Sequence, residues 1–371
     1  MKIGIDARLY GPKQGGLGRY VQQLIAGLEK TDEINDYVVF LRKENFEQYN
    51  PDNPRFQKVL ADIPWYGWKE QILLPQILNK EKCDFIHFPH WNIPFFYRGN
   101  FIVTIHDLIL LHYPSRKAST LGPFSYFLKN IAYKFILRYA VKKAKQIITP
   151  SEFTKQDIIK TLSVPAEKVI VTYLAPTKLN TDNEKEISLA KYNITKPYLL
   201  YVGVAYPHKN LERLVRAWKI FEEKNQNFQL VLVGKKNYFY DRLINSNIFK
   251  NCKNIIFTDF IPDSELSSLY QNAIAYVFPS LYEGFGLPPL EAMQYNIPVI
   301  SSKNSCLPEI LGNAALYFDP KNEQDMYTAI CLVLTNEQKR HELINNISSV
   351  LAKYSQENTT EKTLSVYQKM V

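Results

Sequence analysis

Cysteine is the first scarcity in this chain of 371 residues: there are four, Cys83, Cys252, Cys306 and Cys331, far apart and with no CxxC pair. That spacing excludes a disulfide framework and a zinc ribbon, and reads as reduced, mostly buried thiols in a cytosolic protein. Histidine is almost as rare, with six residues. The spacing of His87, His90 and His112 resembles no zinc motif, so no metal site is expected. Long apolar runs are missing too. None approaches the roughly 18 residues that a membrane-spanning helix needs, and the opening Met1-Lys-Ile-Gly-Ile-Asp6 turns charged too early for a secretion signal. A cytoplasmic location is the expectation. No recognition-helix, zinc-finger or RNP-like pattern occurs, which argues against nucleic acid as a partner.

What the chain does have is enough apolar residue, 46%, and little enough charge, 22%, to fold as a globular protein long enough for two ordinary domains. Its net charge is +9, with 25 tyrosines and 21 phenylalanines. Such a surface attracts an anionic membrane, a phosphorylated substrate or nucleic acid, and charge by itself does not choose among them.

The most informative stretch is Tyr282-Glu-Gly-Phe-Gly-Leu-Pro-Pro-Leu-Glu291. Residues 274–280 before it form a short apolar and aromatic run that reads as a buried strand. Residues 290–295 after it read as a helix started by Pro288-Pro289. The junction is thus a strand, a glycine-containing loop and a helix N-terminus. Backbone N–H groups and the positive end of the helix dipole then point at one spot on the carboxyl edge of a sheet. Glu283 and Glu291, eight apart, are no simple helix-face pair and suit two different parts of one ligand. A purely structural account makes Glu291 a partner of the dipole and Glu283 a solvated loop residue. Gly284 and Gly286 beside Glu283 tilt the balance toward a ligand, because glycine permits close backbone approach.

Residues 2–7 read as a first strand. A loop over 8–18 follows, then an amphipathic helix with Val21, Leu24, Ile25 and Leu28 at i, i+3, i+4 and i+7. Gly15, Gly16 and Gly18 in that loop do not have the GxGxxG spacing. Further strands are expected at 38–41, 84–88, 101–105, 146–150 and 169–172, and Ser151 is placed to cap a helix. Residues 44–69 carry no readable period. His106-Asp107 stand just past the 101–105 strand, where an open α/β sheet receives ligands; a capping Asp107 beside a satisfied His106 is the alternative. The sequence turns polar over 175–191, which places a boundary between domains 1–176 and 177–354. Beyond it come a strand at 198–202, the loop Gly203-Val-Ala-Tyr-Pro-His-Lys-Asn210, and a helix with Leu211, Leu214, Val215 and Trp218 on one face. Lys209 opposes that helix's dipole, an arrangement that makes sense if an anion lies between them. More strands are expected at 230–234, 255–257 and 299–302, with Asp263 or Ser264 capping the intervening helix.

Residues 127–145 carry Lys129, Lys134, Arg138, Lys142, Lys143 and Lys145 and no acidic residue. On a helix, Lys134, Arg138, Lys142 and Lys145 share a face, with Leu128, Ile131, Phe135, Ile136 and Tyr139 over much of the rest. A helix of this kind lies on an anionic membrane surface, or is an internal helix with a solvated cationic side.

The run EGFGLPPLE from Glu283 to Glu291 resembles the signature of retaining, nucleotide-sugar-dependent glycosyltransferases of the sucrose-synthase-like family (glycosyltransferase family 4, group 1). The segments Asn296-Ile-Pro-Val-Ile-Ser-Ser302, Leu307-Pro-Glu-Ile-Leu-Gly312 and Thr104-Ile-His-Asp-Leu108 resemble that family as well. The resemblance implies the α/β GT-B fold, two Rossmann-like domains facing each other across a cleft, and a C-terminal helix, 355–371, crossing back to the first domain. It implies a donor held by the second domain, with Glu291 on the ribose and Glu283 on the transferred sugar. Phe285, Gly286 and Leu287 would lie against the donor, Lys209 and the Gly15-Gly16 pair against its diphosphate, and His106 against the sugar. Asp259 and Phe260 would adjoin the base. Many relatives have an arginine where this chain has Val204 or His208, which leaves Lys209 as the firmly charged clamp.

With no DxD-type sequence, the resemblance implies a metal-independent enzyme without a cofactor. Relatives with such segments are often mannosyltransferases using GDP-mannose in polysaccharide or lipopolysaccharide assembly. The expectation is therefore mannose transfer from GDP-mannose to a polysaccharide or lipid-linked glycan, by an enzyme peripheral on the cell membrane's inner face. UDP-glucose and UDP-N-acetylglucosamine are alternative donors. A hydrolase, epimerase or phosphorylase of the same fold, or a nonenzymatic basic module binding RNA or a membrane, are the rival classes.

Overall fold

The computed structural model describes residues 1–115, 122–177 and 189–370, and the chain forms two compact units with one parallel sheet each. The first unit comprises Met1–Leu111, Leu121–Leu174 and Ser355–Val371; the second comprises His112–Thr120 and Ala175–Tyr354. Of the polar stretch expected to mark a boundary, residues 178–188 lie outside the described residues.

The first sheet has seven strands: β1 Lys2–Asp6, β2 Asp36–Leu41, β3 Phe56–Leu60, β4 Phe85–Phe88, β5 Phe101–Thr104, β6 Ile147–Thr149 and β7 Val169–Val171. Their order is β3-β2-β1-β4-β5-β6-β7 with every pair parallel. A parallel sheet is covered on both faces, which is why strands such as β4 and β5 are buried at every position. The expectation missed β3, an edge strand whose partly exposed residues make no apolar run. Strand order reverses between β1 and β4, and a crevice for ligands opens outside the carboxyl ends at such a point.

The C-terminal helix Gln356–Gln368 belongs to this first unit. It packs against the helix Gly15–Thr31, where Gln356 Nε2 donates to the Gln23 carbonyl at 2.8 Å. Gly27 makes the approach possible, since a Cβ there would meet Thr360 Oγ1 at 2.2 Å. Thr359 Oγ1 donates to the Tyr173 carbonyl at 2.8 Å and ties the helix to the chain following β7.

The basic segment is a helix, Pro123–Lys143. Tyr133, Leu137, Ala140 and Val141 make its inward stripe. Leu128, Ile131 and Phe135 point outward, 49%, 50% and 55% exposed. The shared cationic face is therefore shorter than the sequence suggested, because Lys145 lies beyond the helix end, its N–H bonded to the Phe101 carbonyl.

The second sheet has six parallel strands: β8 Tyr198–Val202, β9 Gln229–Val233, β10 Ile255–Asp259, β11 Ala275–Phe278, β12 Val299–Ser302 and β13 Ala315–Phe318. Their order is β10-β9-β8-β11-β12-β13, so the reversal falls between β8 and β11. The helix Leu211–Glu222 buries Leu211, Leu214, Val215 and Trp218 against this sheet's core. Pro262, and neither Asp263 nor Ser264, occupies the cap of the helix Asp263–Gln271. Three of the four thiols are half-buried, with Cys306 alone fully buried, and all four are free.

Candidate active site

Two loops leave the reversal point of the second sheet. The one after β8 ends in a single turn, Pro207–Lys209, and Asn210 then starts the helix Leu211–Glu222 in the left-handed conformation, φ 63°. Asparagine tolerates that conformation better than most residues. Its side-chain amide also donates to the Pro279 carbonyl at 3.0 Å and the Pro320 carbonyl at 2.7 Å. The Leu281 N–H donates to the His208 carbonyl at 2.7 Å. These bonds stitch the β8 loop to the loop after β11, and the stitching brings Lys209 Nζ to 2.7 Å from Glu283 Oε1.

The pair is largely sheltered, with side-chain exposures of 16% for Lys209 and 9% for Glu283. Backbone contacts fix the carboxylate's base: the Glu283 N–H donates to Ser305 Oγ at 3.0 Å, and Cys306 Sγ donates to the Glu283 carbonyl at 3.3 Å. His208 adds no charge at neutral pH, because burial and then the neighbouring Lys209 push it down to about 4.

The segment that follows bends as its residues require. Gly286 has φ 94°, and a Cβ there would meet Leu307 Cδ2 at 2.9 Å. Backbone conformation and packing by themselves call for glycine at this position. The helix begins at Leu287, earlier than expected, and Glu291 sits on it with 8% exposure. Phe285 is buried, its ring edge-on to Tyr354 at 5.5 Å. Asp259 Oδ1 accepts from the Phe260 N–H and from the N–H of Lys236 in the loop after β9, both at 2.7 Å. Phe260 beside it is 66% exposed.

In the first unit, Gly15 and Gly16 open the helix Gly15–Thr31 rather than standing in a loop. Gly15 has φ 66°, which favours glycine. Gly16 has no such angle, and a Cβ on it would meet nothing within 4 Å. The preceding loop rests on a network the sequence reading missed. Arg8 binds both oxygens of Asp6 at 2.8 Å, Glu70 Oε1 at 2.8 Å and the Ile63 carbonyl at 3.2 Å, all buried. Asn45 Nδ2 adds a bond to the Arg8 carbonyl at 3.0 Å. An aspartate and an arginine two apart at the end of β1 were the available signal.

His106 follows β5. Its Nε2 meets the Pro89 carbonyl at 3.0 Å, and its ring lies edge-on to Tyr20 at 4.7 Å. The carbonyl only accepts, so Nε2 carries the proton and Nδ1 is left as an acceptor. Packing pushes His106 down to about 4, so the ring is neutral at pH 7. Asp107 Oδ1 accepts at 2.9 Å from the N–H of Ile109, the first residue of the short helix Ile109–His112. His87 bonds Tyr367 and Thr104, His90 bonds Tyr66 Oη, and the His112 ring packs against Tyr282. Among the described residues no group of three or more His, Cys, Asp or Glu is placed to hold a metal ion.

The structure thus puts Lys209 and Glu283 in contact, with Glu291 on the helix that follows, and sets Gly15, Gly16 and His106 in the first unit. Two family descriptions match the chain: Glycosyltransferase Family 4 over residues 14–175, and Glycosyl transferases group 1 over residues 183–350. The O-antigen chain mannosyltransferase RfbU of Salmonella typhimurium is 29% identical over 300 residues, 81% of this chain and 77% of that protein. The O-antigen chain mannosyltransferase B of Escherichia coli is 28% identical over 95% of both chains. Among solved structures, sucrose-phosphate synthase from Thermosynechococcus elongatus superposes with TM-score 0.75 at 19% identity, covering 100% of this chain and 99% of its own. WaaG, a glycosyltransferase involved in lipopolysaccharide biosynthesis, gives TM-score 0.71 at 16% identity over 99% of both chains. These last two likenesses establish the fold.

Proposed function

We propose that this chain, a nucleotide-sugar-dependent glycosyltransferase of the GT-B fold, transfers mannose from GDP-mannose to a hydroxyl of a growing polysaccharide or lipid-linked glycan, with the anomeric configuration retained. The observation that carries the reading is the Lys209–Glu283 contact at the reversal point of the second sheet, with the buried Glu291 on the next helix. A cation and an acid held together by one scaffold suit a ligand that is anionic at one end and hydroxylated at the other. The choice of mannose is supported by two relatives named as O-antigen chain mannosyltransferases.

In this reading Glu291 accepts from the ribose hydroxyls, Glu283 from hydroxyls of the sugar, and the exposed Phe260 packs on the base. Phe285, Gly286 and Leu287 form the turn that carries both acids to the donor. Donor binding exchanges the Lys209–Glu283 contact for Lys209–diphosphate, and Lys209 then stabilises the charge that develops on the leaving group. Removing one such donor of charge-stabilising contacts costs on the order of 2.7–4 kcal/mol of barrier. Gly16, which neither its backbone nor its packing requires, fits a helix N-terminus whose N–H groups a phosphate must reach. His106 offers Nδ1 as an acceptor to a sugar hydroxyl. No metal ion is needed, since Lys209 and the helix N-termini supply the positive charge.

The deciding experiment supplies labelled GDP-mannose, UDP-glucose and UDP-N-acetylglucosamine with lipid-linked glycan acceptors and follows product formation. GDP-mannose should give a mannosylated product of unchanged anomeric configuration. Preference for a UDP-sugar would overturn the donor assignment, and donor consumption with no glycosylated product would point to a hydrolase or phosphorylase instead.

The acceptor's setting is a second part of the proposal. Phe127, Leu128, Ile131 and Phe135 on the helix Pro123–Lys143 are 49–60% exposed, alongside the exposed Lys134, Arg138 and Lys142. Exposed apolar side chains flanked by cations suit peripheral contact with an anionic cytoplasmic leaflet. The wild type should float with anionic liposomes, and the triple change of Lys134, Arg138 and Lys142 to Glu should not; equal behaviour of the two proteins contradicts this contact.

A further inference from the structure

The first unit holds a line of buried polar side chains that none of the roles above uses. Tyr367 Oη, on the C-terminal helix, lies 2.7 Å from His87 Nδ1 on β4. His87 Nε2 lies 2.8 Å from Thr104 Oγ1 on β5, and Thr104 Oγ1 lies 3.1 Å from Tyr20 Oη on the helix Gly15–Thr31. All four residues are at most 5% exposed. Tyr20 ends the line with its ring set edge-on to His106.

Four polar groups inside an apolar core cost stability unless each is matched, and a matched line then fixes its members to one arrangement. His87 is neutral, burial having pushed it down to about 3, so one ring nitrogen donates and the other accepts. The line ends where His106 is held: two residues beyond Thr104, past the end of β5, the His106 ring lies between Tyr20 and the backbone carbonyl of Pro89, itself two residues beyond His87. Nothing about the hydrophobic core calls for a histidine, a threonine and two phenols joined here. Four apolar residues of similar shape would fill the same space.

We propose that Tyr367, His87, Thr104 and Tyr20 are positioning residues that hold the His106 ring, so that the C-terminal helix sets the geometry of a sugar-contacting group in the first unit. The inference rests on the reading of His106 given above. It makes the last turns of the chain part of the catalytic apparatus without any of their side chains touching substrate.

The test uses the full-length chain with Thr104→Val and Tyr367→Phe, which keep shape and remove one hydroxyl each, and Thr104→Ser as the conservative variant. The His106 ring signals are followed by NMR of histidine-labelled protein, assigned with His106→Ala, and kcat and donor KM are measured on the same samples. Both hydroxyl deletions should shift the His106 signals and lower kcat by about tenfold or more, with donor KM little changed, as misplacement of a contacting group does. Thr104→Ser should restore both readouts. In the His106→Ala background, Thr104→Val should cost nothing further. His106 signals that stay put in both variants, or an equal kcat loss with and without His106, would overturn the proposal. Shifted signals together with a fully active His106→Ala enzyme would leave the line standing and refute the sugar-contacting role assigned to His106.

Discussion

The carboxyl edges of the two sheets face the same architectural situation and solve it with opposite chemistry. At the second, a lysine and a glutamate stand in contact, each still partly open to solvent, with a further glutamate one loop away. At the first, His87, His90 and His106 are all held uncharged by burial. Its Arg8, Asp6 and Glu70 cluster is sealed and spent on holding the loop after β1. The contrast is between charge that can change partners and charge that cannot. In the proposed donor complex a diphosphate displaces Glu283 from Lys209, an exchange open to a pair that keeps some contact with water. Nothing of the kind can displace Asp6 from Arg8, which is 1% exposed.

Replacing Arg8 is the severest way to break this contrast. Arg8→Met leaves two buried carboxylates without their cation, and the loss should be about 3–5 kcal/mol, as for other broken buried pairs. A urea unfolding midpoint unchanged from wild type would show that the cluster is no sealed network. At the other edge the effect should fall on turnover and not on folding. Lys209→Ala should lower kcat by about 10²–10³-fold with little change in the unfolding midpoint. Glu283→Gln should lower turnover as well while binding of free GDP is kept or strengthened, since it releases Lys209; isothermal titration of GDP reads this directly, and weakened GDP binding would contradict the exchange of partners.

Acid should act more gently, through the histidines. His106 and His208 ordinarily titrate near 6.5, and burial holds both near 4 in the folded protein. The unfolded chain therefore takes up protons that the folded one refuses. Their contribution to stability is complete above about 6.5 and is lost as pH falls from there through about 4. Melting temperature should decline over that window, and His208→Gln should flatten the decline; an unaltered slope would remove His208 from the account. The smallest expected effect is none at all: turnover in excess EDTA should match the untreated enzyme, and a loss restored by magnesium or manganese would contradict the metal-independent mechanism.

The two edges were also unequally legible. Glu283, Glu291 and Gly286 lie within nine residues of one another, so their strand–loop–helix setting could be read directly, and Lys209 announced itself by opposing a helix dipole. Their meeting could not be read, because Lys209 and Glu283 are 74 residues apart and the bonds of Asn210 that join their loops look like any loop asparagine. In the first unit the line from Tyr367 to Tyr20 spans nearly the whole chain, with His87 and Tyr367 separated by 280 residues. Within apolar strands a histidine or threonine reads as an interruption, and only the fold shows that the interruptions face each other. Gly15 and Gly16 fall in the stretch expected as a loop over 8–18, yet they form the first turn of the helix Gly15–Thr31. The basic helix was found, but which apolar stripe it buries was set by the sheet beneath it and not by its own period.

Whether an anionic donor is gripped at the reversal point of the second sheet is tested most directly by calorimetric titration of GDP-mannose into wild type and into Glu291→Ala. Saturable binding by the wild type, weakened at least tenfold by the change with the fold intact, is the predicted result. Equal affinity in the two proteins would contradict it.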